Sequence, residues 1–430
     1  MKMSKHCLKT ALLLFLCACL FFSACGKNKT ESTEGSPAES TAEPAAEPTA
    51  APTEATTPAE QVPAVEGLPI QHEPEFGGVY IEITIDDFNK LGFVYGDSVK
   101  VTFSNGYTME DIPYYNGYYV DAGEPLLIAY PGYDYIKACI NYGADLWEEG
   151  NLYAWDDNKL QAGLTNLFTA ADLDEHCTAS VYLNEHGKYA DIQAARDIHY
   201  TDFRKDYPSD EVFANFRNIH PGNIKEGILY RSASPCDNQH KRAPYVDTLM
   251  AEAKVRCILN LSDNEVKIER YISADDFNSP YFLSLYEEGN VIPLAMNMNF
   301  VSEEFTQKIA NGFAAMAEKE GPYLVHCTEG KDRTGFVCML LEALCGAGYQ
   351  EIVDDYMLTY DNYYKINEEK DKVKYDIILE KNLIAMLYTV TGDKTVDLTT
   401  ADLSAYAKDY LKAAGMTDAQ IDLLISRLTR

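Results

Sequence analysis

Tyr323-Leu324-Val325-His326-Cys327-Thr328-Glu329-Gly330-Lys331-Asp332-Arg333-Thr334-Gly335 is the stretch on which the reading of this 430-residue chain turns. An apolar run, 323–325, has the composition of a buried strand and ends on a histidine and a cysteine. Gly330 permits a tight bend, and Thr334-Gly335 opens an apolar run, 336–344, with helical spacing. A loop between strand and helix turns successive backbone N–H groups inward, and the helix N-terminus adds partial positive charge. Both favour a bound phosphate dianion and a thiolate.

Roles follow from that chemistry. Cys327 attacks phosphorus in line and forms a phosphocysteine, splitting hydrolysis into two steps. Arg333 offers a planar fork to two phosphate oxygens and holds charge in the transition state. The backbone N–H groups of Thr328, Glu329, Gly330, Lys331, Asp332 and Arg333 bind the remaining oxygens. His326 is expected to fix the loop and thiolate through its ring N–H. The Thr334 hydroxyl is expected to bond the sulfur as it leaves. Lys331 adds a second cation, or else pairs with a carboxylate such as Glu329. No metal or other cofactor is called for, and no CxxC or Cys/His spacing suggests a metal site.

A second Cys-x5-Arg match, Cys236 to Arg242, tests this reading. It follows Pro235, has no glycine inside, and shows no preceding strand and no helix starting at the arginine. It is read as a polar surface loop.

The string 326–335 resembles the signature of bacterial tyrosine phosphatases with lipid (phosphoinositide) phosphatase-like loops. Two further segments are similar to that family: Asn215-Phe216-Arg217-Asn218 followed by Gly227-Ile228-Leu229-Tyr230-Arg231-Ser232-Ala233-Ser234, and Asp354-Asp355-Tyr356-Met357-Leu358-Thr359. The resemblance spans roughly residues 212–430 and implies phosphotyrosine, phosphoinositide or inositol phosphate substrates. One departure is Asn260-Leu261-Ser262, where the family often has Asp-Leu-Arg; a charge interaction behind the loop is then missing or replaced. Many cysteine phosphatases carry their general acid roughly 30–40 residues before the nucleophile. Here residues 290–300 contain no carboxylic acid. Asp332 matches an aspartate to which the resembled family's acid role has been assigned, so it is the expected acid, with Asp263 in reserve.

The rest of the chain frames this unit. Lys2, Lys5 and Lys9 precede twelve consecutive apolar residues, 11–22, too few for a stable span of about 20. Phe22-Ser23-Ala24-Cys25-Gly26 resembles a bacterial lipobox, so residues 1–25 read as a lipoprotein signal with Cys25 as the lipidated residue. Residues 26–70 are read as a disordered stalk of Thr, Glu, Ala and Pro. Residues 77–191 carry short β-like runs at 79–85 and 98–103, an Asn105-Gly106 hairpin turn and crowded tyrosines, and are read as a β-rich domain of unknown role. Those tyrosines are expected to be half-buried strand positions, or else to mark a carbohydrate- or protein-binding surface. Residues 200–430 alternate strands and helices, which predicts an α/β fold with a central, mainly parallel sheet flanked by helices. Helices are expected at 305–319, 334–344 and 352–364, and Thr417-Asp418-Ala419-Gln420 is a capping box before a last helix.

The expected protein is therefore an exported phosphate monoester hydrolase, lipid-anchored to the outer face of a bacterial cell membrane. It acts on phosphorylated protein, with phosphoinositide activity beside it. The alternatives are an inositol polyphosphate phosphatase, or a surface binding lipoprotein whose loop merely holds phosphate. The formal charge of −31 argues against a nucleic-acid partner, since both would be anionic. It also requires a local basic pocket for any anionic substrate.

Overall fold

The computed structural model describes residues 62–152 and 177–430. The signal, Cys25 and the stalk up to residue 61 lie outside the described residues. Thirteen strands are described, in chain order: β1 (Ala64–Leu68), β2 (Ile70–Glu73), β3 (Gly78–Thr84), β4 (Ser98–Phe103), β5 (Thr108–Tyr115), β6 (Pro125–Ile128), β7 (Tyr135–Ile140), β8 (Ala179–Glu185), β9 (Arg217–Ile219), β10 (Leu229–Ser232), β11 (Cys257–Asn260), β12 (Val291–Pro293) and β13 (Tyr323–His326).

The last five form one sheet in the order β12-β11-β13-β10-β9. β13 pairs in parallel with β10 and β11, β11 with β12, and only β9 runs antiparallel. Every residue of β11 and β13 is buried, as a sheet covered on both faces demands. Successive side chains point to opposite faces. Tyr323, Val325, Cys257 and Leu259 join the core built by the helices Glu303–Ala317 and Asp332–Leu344. Leu324 and Ile258 join a second core with the helices Ala243–Glu252 and Pro280–Glu287. Each such aliphatic burial contributes about 1.5–3 kcal/mol. The mainly parallel, helix-flanked α/β sheet matches the expectation from sequence. Helix Tyr349–Tyr364 begins three residues before the expected start, and Asp418–Thr429 carries the capping box of Thr417 and Gln420.

The first eight strands form a second sheet, β1-β8-β4-β5-β6-β7-β3-β2, antiparallel except between β5 and β6. Val99, Val101 and Phe103 alternate into its core while Lys100 and Thr102 stay half-buried. The expected stalk runs too far. β1 pairs antiparallel with β8, and Ile70 of β2 is buried, because Val65, Leu68 and Ile70 supply the apolar side chains that the preceding segment lacks. The tyrosines divide: Tyr114 and Tyr115 are buried in β5, whereas Tyr118 and Tyr130 are exposed. The described residues belong to a single compact unit. The thiols of Cys139, Cys236, Cys257, Cys327, Cys338 and Cys345 are all buried and form no disulfide.

The reading of residues 236–242 as a polar surface loop is corrected. Cys236 and Arg242 are both buried, strand β10 ends four residues before Cys236, and helix Ala243–Glu252 starts directly after Arg242. The guanidinium lies 4.7 Å from the Tyr200 and Phe213 rings and 5.0 Å from that of Tyr363, and it pairs with Asp202 at 2.6 Å. Aromatic faces and an ion pair make a cation tolerable in the interior, which hydropathy alone does not reveal.

Candidate active site: the phosphate loop after the central strand

Cys327 follows β13, the middle strand of its sheet, and is buried. The residues after it leave the sheet and re-form as the helix Asp332–Leu344. Gly330 makes the bend possible, with φ of +70° and a position where a Cβ would lie 2.2 Å from the Ser232 carbonyl oxygen. Only glycine fits there on both counts. Among the described residues, the backbone N–H groups of Thr328, Glu329, Gly330 and Lys331 donate to no protein acceptor. They are unused donors beside a helix N-terminus, which is how a phosphate cradle is built.

Arg333 is held from one side. Its Nη1 donates to the Met296 carbonyl at 3.0 Å and its Nη2 to the Thr328 hydroxyl at 3.3 Å, while its buried Nε has no protein partner. Met296 is fixed in turn by its N–H on the Leu261 carbonyl at 2.7 Å. The acid-free segment 290–300 thus serves as an anchor for the arginine. The Thr334 hydroxyl is buried without a described partner, so it is free to meet a sulfur or an oxyanion.

His326 does not meet the thiol. Its Nδ1 lies 3.2 Å from the Cys327 carbonyl oxygen. A carbonyl only accepts, so Nδ1 carries the proton. Burial, with the charge of Arg333 adding to it, pushes the imidazole down to about 4, so the ring is neutral at physiological pH. The expected anchoring of the loop is present through the backbone.

Lys331 pairs with Asp332 rather than with Glu329. Its ammonium is 2.9 Å from both Asp332 oxygens and 4.0 Å from the nearer Glu329 oxygen. Burial works against its charge, but Asp332 and the surrounding acidic groups hold it well above the usual lysine value. The reserve acid, Asp263, is buried and accepts from Asn260 Nδ2 at 3.1 Å. Asn260 Oδ1 accepts from the N–H groups of Ser262 and Asp263, so the departure from Asp-Leu-Arg forms a local turn at the end of β11.

The charge behind the loop comes from elsewhere. Arg231 of β10 donates to the Gly330 carbonyl at 2.9 Å and pairs with Asp355 at 2.6 Å. Arg217 of β9 pairs with the other Asp355 oxygen at 2.7 Å, and Asn215 Nδ2 also donates to the Gly330 carbonyl, at 3.1 Å. Burial alone would raise Asp355, but the two guanidiniums outweigh it and hold its carboxyl far below the ordinary range. Glu342, buried beside it, is pushed well above the usual value by burial and by the charge of Asp355. Sequence reasoning quoted the segments holding Asn215, Arg217, Arg231 and Asp355 but assigned them no role. An arginine directly after the apolar run Ile228-Leu229-Tyr230 was the signal available.

The tyrosine phosphatase family matches residues 211–430, just over half of the chain. Among solved structures, the core catalytic domain of the PP-IP phosphatase SIW14 from S. cerevisiae, in complex with citrate, is similar at 19% identity. The match covers 40% of this chain and 94% of that one, with a TM-score of 0.23, a likeness from which no substrate is transferred. No curated protein matches the chain. With the family covering the whole five-stranded sheet and its phosphate loop, the chain belongs to the tyrosine phosphatase family and is a phosphatase.

Proposed function

We propose that the chain hydrolyses phosphate monoesters through a phosphocysteine on Cys327, with phosphotyrosine as the preferred substrate class. The observation that carries this is the set of unused donors in one turn of chain: four loop N–H groups, the Arg333 Nε and the Thr334 hydroxyl. In the first step the thiolate forms an S–P bond as the P–O bond to the leaving group breaks. Asp332 gives the leaving oxygen its proton. In the second step water attacks phosphorus, Asp332 takes back a proton, and the sulfur leaves as thiolate with the Thr334 hydroxyl as donor. Arg333 and the loop N–H groups hold the equatorial oxygens throughout.

The Lys331–Asp332 pair weighs against inositol polyphosphates, because the loop's second cation is already engaged. Phosphoinositide hydrolysis is the accompanying activity in this proposal. Comparing kcat/KM on phosphotyrosine peptides, phosphoinositides and inositol hexaphosphate tests the choice. A preference for the hexaphosphate overturns it. We further propose export and lipid attachment at Cys25, on the strength of the sequence pattern at 22–26. Membrane fractionation of a Cys25→Ala protein, expected to be released with unchanged specific activity, tests that part.

A further inference from the structure

The family match begins at residue 211, yet side chains upstream of it reach the phosphate loop. The Tyr200 hydroxyl donates to the Glu329 carboxylate at 2.8 Å. The Tyr363 hydroxyl donates to the Glu329 backbone carbonyl, also at 2.8 Å. The two rings are stacked, with centroids 5.1 Å apart and an interplanar angle of 29°, and Arg242 lies against both. Thus one residue of the loop is gripped at its carboxylate and at its backbone by neighbouring phenols. Arg196, on the helix Ala190–Arg196, makes a second connection: it donates to Asn382 Oδ1, and Asn382 donates to the Tyr360 hydroxyl at 2.7 Å. The Tyr360 ring faces the Lys331 ammonium at 5.9 Å.

Glu329 is the loop carboxylate that Lys331 does not clamp, at 4.0 Å against 2.9 Å for Asp332. Released from Tyr200, it has two places to go. It can close on Lys331, displacing Asp332, or it can stand near the cradle, where its charge repels an incoming dianion. The phenol is well suited to prevent both, since burial and the charge of Glu329 raise it far above the usual tyrosine value and it stays a donor at any working pH.

We propose that Tyr200 is a positioning residue for substrate binding: through its hydroxyl it holds the Glu329 carboxylate away from the phosphate cradle and from Lys331. The segment upstream of the family match is then part of the binding apparatus. This inference rests on the phosphatase reading above.

The test uses the full chain and the Tyr200→Phe variant, which loses only the hydroxyl. The readouts are KM and kcat for p-nitrophenyl phosphate and the inhibition constant of vanadate. A hydrogen bond to a charged group corresponds to about tenfold or more in binding, so KM and the vanadate constant should each rise about tenfold. kcat should stay within about twofold, since Tyr200 does not touch the reacting atoms. Adding Glu329→Gln to Tyr200→Phe should restore both constants, because a neutral amide does not repel the dianion. Unchanged constants in Tyr200→Phe, or a loss that Glu329→Gln fails to restore, overturn the inference while leaving the phosphatase reading intact. A wild-type protein that neither turns over the ester nor binds vanadate overturns that reading, and this inference with it.

Discussion

The Arg231 guanidinium donates to the carbonyl of Gly330 at 2.9 Å, so strand β10 and the bend of the phosphate loop at Gly330 are tied by a charge-assisted bond. Its Nη1 is committed to Asp355, and Arg217 completes the triad.

Removing the centre of that triad should be costly. Asp355→Asn leaves two buried guanidiniums without their counter-charge, which typically costs about 3–5 kcal/mol. Urea denaturation should show a loss of that size. Vanadate binding should weaken as well, because the Gly330 carbonyl loses its fixed donor. A stability change below about 1 kcal/mol would mean that the triad is not a structural centre.

Glu342 gives a pH dependence of opposite sign to that of Asp355. The Asp355 carboxyl is depressed, so its stabilisation is present above its ordinary value of 3.8 and is lost as pH falls through the folded value. The Glu342 carboxyl is raised, so the folded state binds more protons than the unfolded one above 4.5. Stability therefore falls as pH rises from 4.5 toward the folded value of Glu342. Glu342→Gln should remove that slope, flattening the melting temperature between pH 5 and 8 (about the range over which most domains are most stable). An unchanged slope would place its origin elsewhere.

The two Cys-x5-Arg segments should respond differently to the same substitution. Cys327→Ser should abolish turnover of an aryl phosphate and keep vanadate or phosphate binding measurable, because the loop donors survive. Cys236→Ser puts a hydroxyl into a buried site whose neighbours include Ser234 Oγ, at 3.5 Å from the sulfur. It should leave turnover within a few-fold and cost about 1 kcal/mol of stability. Full activity in Cys327→Ser would overturn the nucleophile assignment.

Asp332→Asn discriminates an acid from a brace. Proton donation matters more as the leaving group becomes more basic. Turnover of phosphotyrosine should fall about 10²–10⁴-fold, while an ester with a nitrophenolate leaving group should be slowed far less. Equal slowing of both would indicate that Asp332 only holds Lys331. Absence of any slowing would move the acid to Asp263 or to Asp237, a half-buried carboxyl that burial pushes up.

The phosphate loop could be read because its determinants are contiguous. Strand, cysteine, glycine, arginine and helix start occupy residues 323–335, and local periodicity is enough to place them. The triad behind the loop could not, because Arg217, Arg231 and Asp355 come from two strands and a helix, and only the tertiary fold brings them together. Arg242 failed for a different reason. A charged residue beside Lys241 and His240 looks solvated until the aromatic rings of Tyr200, Phe213 and Tyr363 close around it, and all three lie more than 25 residues away in sequence. The stalk boundary was misplaced because the apolar residues of β1, Val65 and Leu68, are few and directly follow a long Thr, Glu, Ala and Pro tract.

Burial of Cys139, Cys236, Cys257, Cys327, Cys338 and Cys345 without a disulfide has a consequence for biogenesis. A thiol protected by packing alone is protected only once the chain has packed. If the protein is exported unfolded, each of these sulfurs meets oxidants before its shelter exists, and a wrong cross-link formed then would block the native core. In that case folding races oxidation, and yield, more than equilibrium stability, becomes the quantity that an oxidising environment limits.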